Sequence, residues 1–269
     1  MYRKLTYIKH EYELELVQME EFNENDQLTY IKEINREGTL ESRFKFDVNG
    51  NVTEEENLVD GVLSDKSEYI FDKEGNLLSH KFIIDNEVIE ETKREVTDST
   101  TIEKMYQNGE EVKKSISEYK EGESRGLFYE FGELVEKQIT KESKEFSNSI
   151  AYSSNDEIIY FENYYYNSKD QITKHEILNP DKTINSIETY IYNNENLAKI
   201  SFSSDTEKNC QRYERDKNGN VIRFEITNED GNVVHFSNSE YDDKNRLIAR
   251  VDYSNGVDTL FEIKYEEIN

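Results

Sequence analysis

At 269 residues, with 34% hydrophobic residues and a formal net charge of −26, the chain is poor in material for a thick core and strongly acidic. Such a charge repels phosphate backbones and anionic lipid, so nucleic-acid and membrane-surface binding are disfavoured and a basic protein partner is favoured. Nineteen tyrosines and 13 phenylalanines are too many for a disordered chain.

In chain order, the first stretch, MYRKLTYIKHEYELEL, lacks the long apolar run of a signal peptide. No later run approaches transmembrane length, and a cytoplasmic protein is expected. A turn signal follows at Phe22–Leu28 (FNENDQL), then others at Glu37-Gly38, at Phe44–Val52 (FKFDVNGNV) and at Asp60-Gly61. Tyr69–Leu77 reads YIFDKEGNL, with Asp85-Asn86 and Asn108-Gly109 beyond it. From 97 to 160 the register blurs, and Gly122, Gly126 and Gly132 fall there. The pattern resumes at Tyr164–Ile172 (YYYNSKDQI), followed by Asp181-Lys182 beside Pro180, the sole proline. Tyr190–Leu197 (YIYNNENL) is one residue short. Asp205-Thr206, Tyr213–Val221 (YERDKNGNV), Asp230-Gly231, Tyr241–Leu247 (YDDKNRL) and Asn255-Gly256 complete the series.

The chain thus reverses about every dozen residues, which leaves no room for a typical helix. Gly, Asn and Asp supply the positive φ that tight turns need. Between turns, segments such as SRFKFDV alternate apolar with charged residues, the period of a strand. The expected fold is all-β: a long antiparallel β-meander of about twenty strands built from tandem hairpin repeats. Its sheet is expected to be curved or spiralling, with free edges open to β-augmentation. One domain, 1–269, is expected, with the repeat register degenerate around 97–160.

The recurring pattern is aromatic, any, aromatic, Asp, two residues, Gly-Asn, aliphatic. It is carried by Phe44-Lys45-Phe46-Asp47 with Gly50-Asn51-Val52, by Tyr69-Ile70-Phe71-Asp72 with Gly75-Asn76-Leu77, and by Tyr213 with Asp216 and Gly219-Asn220-Val221. It resembles the tyrosine-aspartate (YD) repeat of the rearrangement-hotspot (RHS) family and covers most of 19–96 and 164–257. In large members of that family the repeats build a β-sheet that spirals into a shell around a toxin. This chain is far too short for such a shell, and its repeat runs almost to Asn269. The resemblance implies a short stand-alone repeat sheet, and a role as an immunity protein neutralising a cognate toxin in bacterial competition.

Chemistry is sparsely signalled. His10, His80, His175 and His235 make no metal-ligand spacing and are expected to be exposed or cross-strand. Cys210, the only cysteine, has no partner motif and can form no internal disulfide. The DVNGN, DKEGN and DKNGN turns place Gly fourth, whereas a calcium loop of the EF-hand type needs it sixth, so a β-turn is the expected role. No catalytic, cofactor-binding or metal-binding residue is assigned, no cofactor is expected, and the partner-binding residues are left unknown. The expected function is non-enzymatic: a protein-binding module, foremost an immunity protein gripping a basic toxin. The alternatives are a structural or surface repeat protein (shell fragment or adhesin) and a carbohydrate-binding or hydrolytic β-protein.

Overall fold

A computed structural model of the chain describes residues 1–254 and 256–268. It is all-β. The strands are β1 (Tyr2–Lys9), β2 (Leu14–Phe22), β3 (Leu28–Asn35), β4 (Gly38–Phe46), β5 (Val52–Val59), β6 (Val62–Phe71), β7 (Leu77–Ile84), β8 (Glu87–Val96), β9 (Thr100–Gln107), β10 (Glu110–Lys120) and β11 (Glu123–Glu130). They continue as β12 (Glu133–Glu142), β13 (Phe146–Ser153), β14 (Ile158–Tyr166), β15 (Ile172–Leu178), β16 (Ile184–Asn193), β17 (Asn196–Ser204), β18 (Lys208–Arg215), β19 (Val221–Thr227), β20 (Val233–Tyr241), β21 (Leu247–Ser254) and β22 (Val257–Glu267). By contact the chain divides into two compact units. The first comprises Met1–Ser115, Glu130–Gly132 and Phe261–Asn269; the second comprises Ile116–Tyr129 and Glu133–Leu260.

Two turn chemistries recur between these strands. At the first, Asp47 behaves as a cap. Its Oδ1 accepts from the amides of Asn49 (2.8 Å) and Asn51 (2.9 Å), while Oδ2 accepts from Asn51 Nδ2 (3.0 Å). Gly50, at φ 89°, then lets the chain fold back. The extra residue appears as a bulge one step earlier, between Lys45 and Phe46. Asp72 and Asp216 repeat this arrangement with Asn76 and Asn220, and Asn23 and Asn167 fill the same place with an amide oxygen. The paired aspartate and asparagine of the repeated signature are therefore a turn-closing device.

The second chemistry is a two-residue turn with both φ positive, as at Asp60-Gly61, Asp85-Asn86 and Asn108-Gly109. Between 97 and 160 the strands keep ordinary lengths, because Glu121-Gly122 and Phe131-Gly132 make turns of this tight kind. Asn194-Glu195 also turns in this way, with φ of 48° and 75°, which accounts for the short YIYNNENL repeat. The expected turn at Asn255-Gly256 includes Asn255, which lies outside the described residues.

The expectation of an open, curved or spiralling sheet with free edges is overturned. β1 pairs antiparallel with β2 on one side and with β22 on the other, from Tyr2↔Glu267 to Ile8↔Phe261. The 22 strands belong to one sheet, and this pairing makes it a closed antiparallel barrel. The reason is physical. An edge strand leaves a row of amides and carbonyls unpaired, and closure satisfies both edges at once.

Little is fully buried. Leu5, Leu58, Val112, Ala151 and Ile263 are the buried apolar side chains among the described residues. Stability must come mainly from cross-strand pairs, each contributing roughly 0.2–1 kcal/mol. In the first unit Tyr2 stacks on Phe22 with centroids 4.7 Å apart, and in the second Phe236 stacks on Tyr253 at 5.0 Å. Ion-pair ladders add to these. Glu54 is shared between Lys45 and Lys66, and Lys66 reaches on to Glu68 at 3.0 Å. Both faces of the sheet carry charge. Lys45, Glu54 and Glu68 form one register row, and the next row, on the opposite face, holds Phe44, Glu55 and Ser67.

Candidate functional site

One polar ladder of the second unit is centred on a histidine. Tyr164, His175 and Glu188 are successive register partners across β14, β15 and β16. The Tyr164 ring lies flat on His175, with centroids 4.3 Å apart and planes 7° apart. His175 Nε2 is 2.9 Å from Glu162 Oε1, and Nδ1 is 3.7 Å from Glu188 Oε2. The Tyr164 hydroxyl donates to Glu162 (2.8 Å) and the Tyr190 hydroxyl to Glu188. Burial, reinforced by the Glu162 carboxylate, pushes the Tyr164 phenol up to about 12. Burial and Glu188 likewise push Tyr190 above its ordinary value.

This cluster is chemically saturated. Both imidazole nitrogens face carboxylates, and both phenols spend their protons on those same carboxylates. No nucleophile adjoins them, and no group of three or more metal-ligating side chains occurs among the described residues. A tyrosine-histidine rung of the same kind recurs in the first unit, where Tyr69 stacks on His80 at 4.8 Å and His80 Nε2 lies 3.3 Å from Ser67 Oγ. His235 makes a tilted contact with Phe224, and His10 pairs with Glu15 at 2.9 Å. Cys210 is half-buried, with Thr227 as its register partner. Sequence reasoning missed the carboxylates around His175. The available signal was the repeated spacing Tyr69 to His80 and Tyr164 to His175, which sets each pair opposite across a capped turn.

The groups left over for recognition are carboxylates on turns. In the second unit, the turns leaving β13, β15, β17 and β19 carry Asp156 and Glu157, Asp181, Asp205 and Glu207, and Glu229 and Asp230. Asp156 is held by Lys137 at 2.5 Å, and Asp181 is spent on the amide and hydroxyl of Thr183. Glu157, Asp205, Glu207, Glu229 and Asp230 are exposed and make no ion pair among the described residues. The bases at these turns are Lys182, which sits over the Phe161 ring, and Lys208. Alternate turns stand about 10 Å apart, two strand spacings, which is close to the screening length of physiological salt. Their negative potentials therefore overlap. In the first unit the turns leaving β1, β3, β5 and β7 bear Glu11 and Glu13, Glu37, Asp60, and Asp85.

No protein-family model matches the chain, and no curated protein matches it. Among solved structures it is similar to a porin-like protein from Bacteroides uniformis, at 9% identity and a TM-score of 0.39, covering 98% of this chain and 96% of that one. A porin-like protein from Bacteroides vulgatus aligns at 8% identity and a TM-score of 0.22, covering 98% of each chain. The TcdB2–TccC3 structure aligns at 10% identity and a TM-score of 0.22, over 87% of this chain and 17% of that one. At these scores the likeness carries no argument, and the function must be read from the residues.

Proposed function

We propose that this chain is a non-enzymatic protein-binding module that captures a basic protein partner on the carboxylate-bearing turns of its second unit. The observation that supports the reading best is the row Glu157, Asp205, Glu207, Glu229 and Asp230, exposed and without ion pairs among the described residues. Overlapping negative potential of this kind speeds encounter with a cationic partner and sets specificity. The saturated Tyr164–His175–Glu162–Glu188 ladder supports a structural rather than a catalytic role for the histidine.

The finer reading follows the resemblance to the YD repeat: an immunity protein that neutralises a cognate basic toxin in the cytoplasm. Charge on both faces of the sheet favours an aqueous setting, since a lipid-facing barrel needs an apolar outer band. The test takes any toxin domain encoded beside its gene, titrates the chain against it and measures rescue of cell growth alongside. Reversing Asp205, Glu207, Glu229 and Asp230 to lysine should weaken binding at least tenfold and abolish rescue, and added salt should weaken the unaltered pair. Binding that is indifferent to both salt and charge reversal would overturn the proposal.

A further inference from the structure

A cavity of about 570 Å³ opens in the second unit between the β16–β17 turn and the end of β18. Asn193, Asn196, Ala198, Tyr213, Glu214 and Arg215 are among its walls. It lies where the sheet comes apart. The β17–β18 ladder runs from Ser203↔Lys208 to Lys199↔Arg212 and stops, although β17 begins at Asn196 and β18 continues to Arg215. Residues 196–198 and 213–215 therefore face each other without register pairing.

The cause lies in the turns. On this side of the second unit, neighbouring turns are stitched by side chains. Gln171 Nε2 donates to the Glu195 carbonyl (2.9 Å), and Lys169 pairs with the Glu195 carboxylate (2.6 Å). Asn218 and Asn220 both donate to Asn245 Oδ1, at 2.9 and 3.2 Å. Between the turn at 193–196 and the turn at 216–220 no such stitch occurs among the described residues. The tight Asn194-Glu195 turn is one residue shorter than its capped neighbours and leaves the interval open.

Arg215 gives the opening its chemical character. Its Nη1 donates to the Gly219 carbonyl at 2.9 Å, but its Nε is enclosed and has no partner. The nearby Asp216 does not serve it: its carboxylate is turned to the Asn218 and Asn220 amides and the Asn220 side chain. An unsatisfied guanidinium N–H beside a broken ladder suits one kind of ligand: an extended backbone that pairs with the splayed strands and ends in an acceptor for the arginine.

We propose that this cavity binds a short extended peptide through its free C-terminal carboxylate, with the Arg215 guanidinium on the carboxylate and the peptide backbone along 196–198 and 213–215. The ligand is anionic and the site lies away from the acidic turns, so it is independent of the basic partner proposed above.

The probe is the tetrapeptide Thr-Val-Thr-Val, titrated with a free carboxylate and, separately, as the C-terminal amide, against the full chain labelled for NMR. The carboxylate form should shift the backbone amides of Ala198, Tyr213 and Glu214 and the Arg215 Nε–H, and the amide form should bind at least tenfold more weakly. Arg215→Gln should lose the carboxylate preference while Arg215→Lys retains part of it. Ala198→Phe, which fills the cavity and leaves Arg215 in place, should block binding with an unchanged circular dichroism spectrum. Acetate alone, as the free anion, should not reproduce the shifts at Ala198 and Tyr213. Equal binding of carboxylate and amide, full reproduction by acetate, or no shift with the peptide at about 10 mM would each overturn the assignment.

Discussion

Tyr164 lies on His175 across the β14–β15 hairpin, rings nearly parallel at 7°, and its hydroxyl reaches the Glu162 carboxylate that also faces the imidazole. Stack and hydrogen bond can be separated. Tyr164→Phe keeps the stack and loses the hydroxyl, and should cost about 1 kcal/mol. Tyr164→Ala loses both and should cost roughly 2 kcal/mol, measured by urea unfolding. Equal losses in the two variants would mean that the ring contributes nothing.

The raised phenols make a prediction at alkaline pH. Tyr30, through burial and Glu41, and Tyr164, through burial and Glu162, are both pushed to about 12 from an ordinary value of 10.0. Their folded values lie above their unfolded ones, so the stability they contribute is complete below pH 10 and drains away as pH rises through 12. Ultraviolet difference titration should show a late-ionising subset that shrinks in Tyr30→Phe and Tyr164→Phe. A single midpoint near 10 for all the tyrosines would contradict this.

The capping aspartates predict the opposite dependence. Asp216 is held below the usual carboxylate range, chiefly by the Asn220 side chain and then by the turn amides. A lowered folded value means its contribution is present above the unfolded range and lost as pH falls through the folded one. Asp216→Asn should unfold close to the unaltered chain at neutral pH, because Asn23 and Asn167 already cap equivalent turns, and should lose this part of the acid sensitivity. Asp216→Ala should lower the unfolding midpoint at neutral pH. If alanine and asparagine behave alike, the cap is not what holds the turn.

Closure of the sheet can be tested covalently. In a Cys210→Ser background, Arg3→Cys with Glu266→Cys, and Lys4→Cys with Tyr265→Cys, place cysteines at adjacent register positions of β1 and β22. One of two adjacent antiparallel pairs is the closer, non-hydrogen-bonded kind, so at least one variant should oxidise to a monomeric disulfide. Mass spectrometry showing only intermolecular disulfides in both would mean that β1 and β22 do not meet.

What the sequence could tell divides by distance along the chain. Asp47-Asn51 and Asp60-Gly61 are legible because the turn and its cause lie within five residues. Glu121-Gly122 and Phe131-Gly132 are harder to read: phenylalanine is a poor candidate for positive φ, yet Phe131 takes it at 48°. The partners of His175 come from the two flanking strands, β14 and β16, so only the alignment of whole repeats could have gathered them. Pairing of Tyr2 with Glu267 was illegible for the strongest reason. No local preference distinguishes a strand that ends a ribbon from one that meets its other end.

That last pairing also orders the events of folding. Every hairpin in the chain can form from residues a few positions apart, on the microsecond scale of such elements. The β1–β22 ladder must wait for nearly the whole polypeptide and pay the entropy of joining its two extremes. Until then the growing ribbon carries two sticky flanks, each able to recruit a neighbouring molecule. The vulnerable species is thus the almost finished one. Crowded synthesis should punish slow seam formation in β1 and β22 more than any defect in the repeats between them.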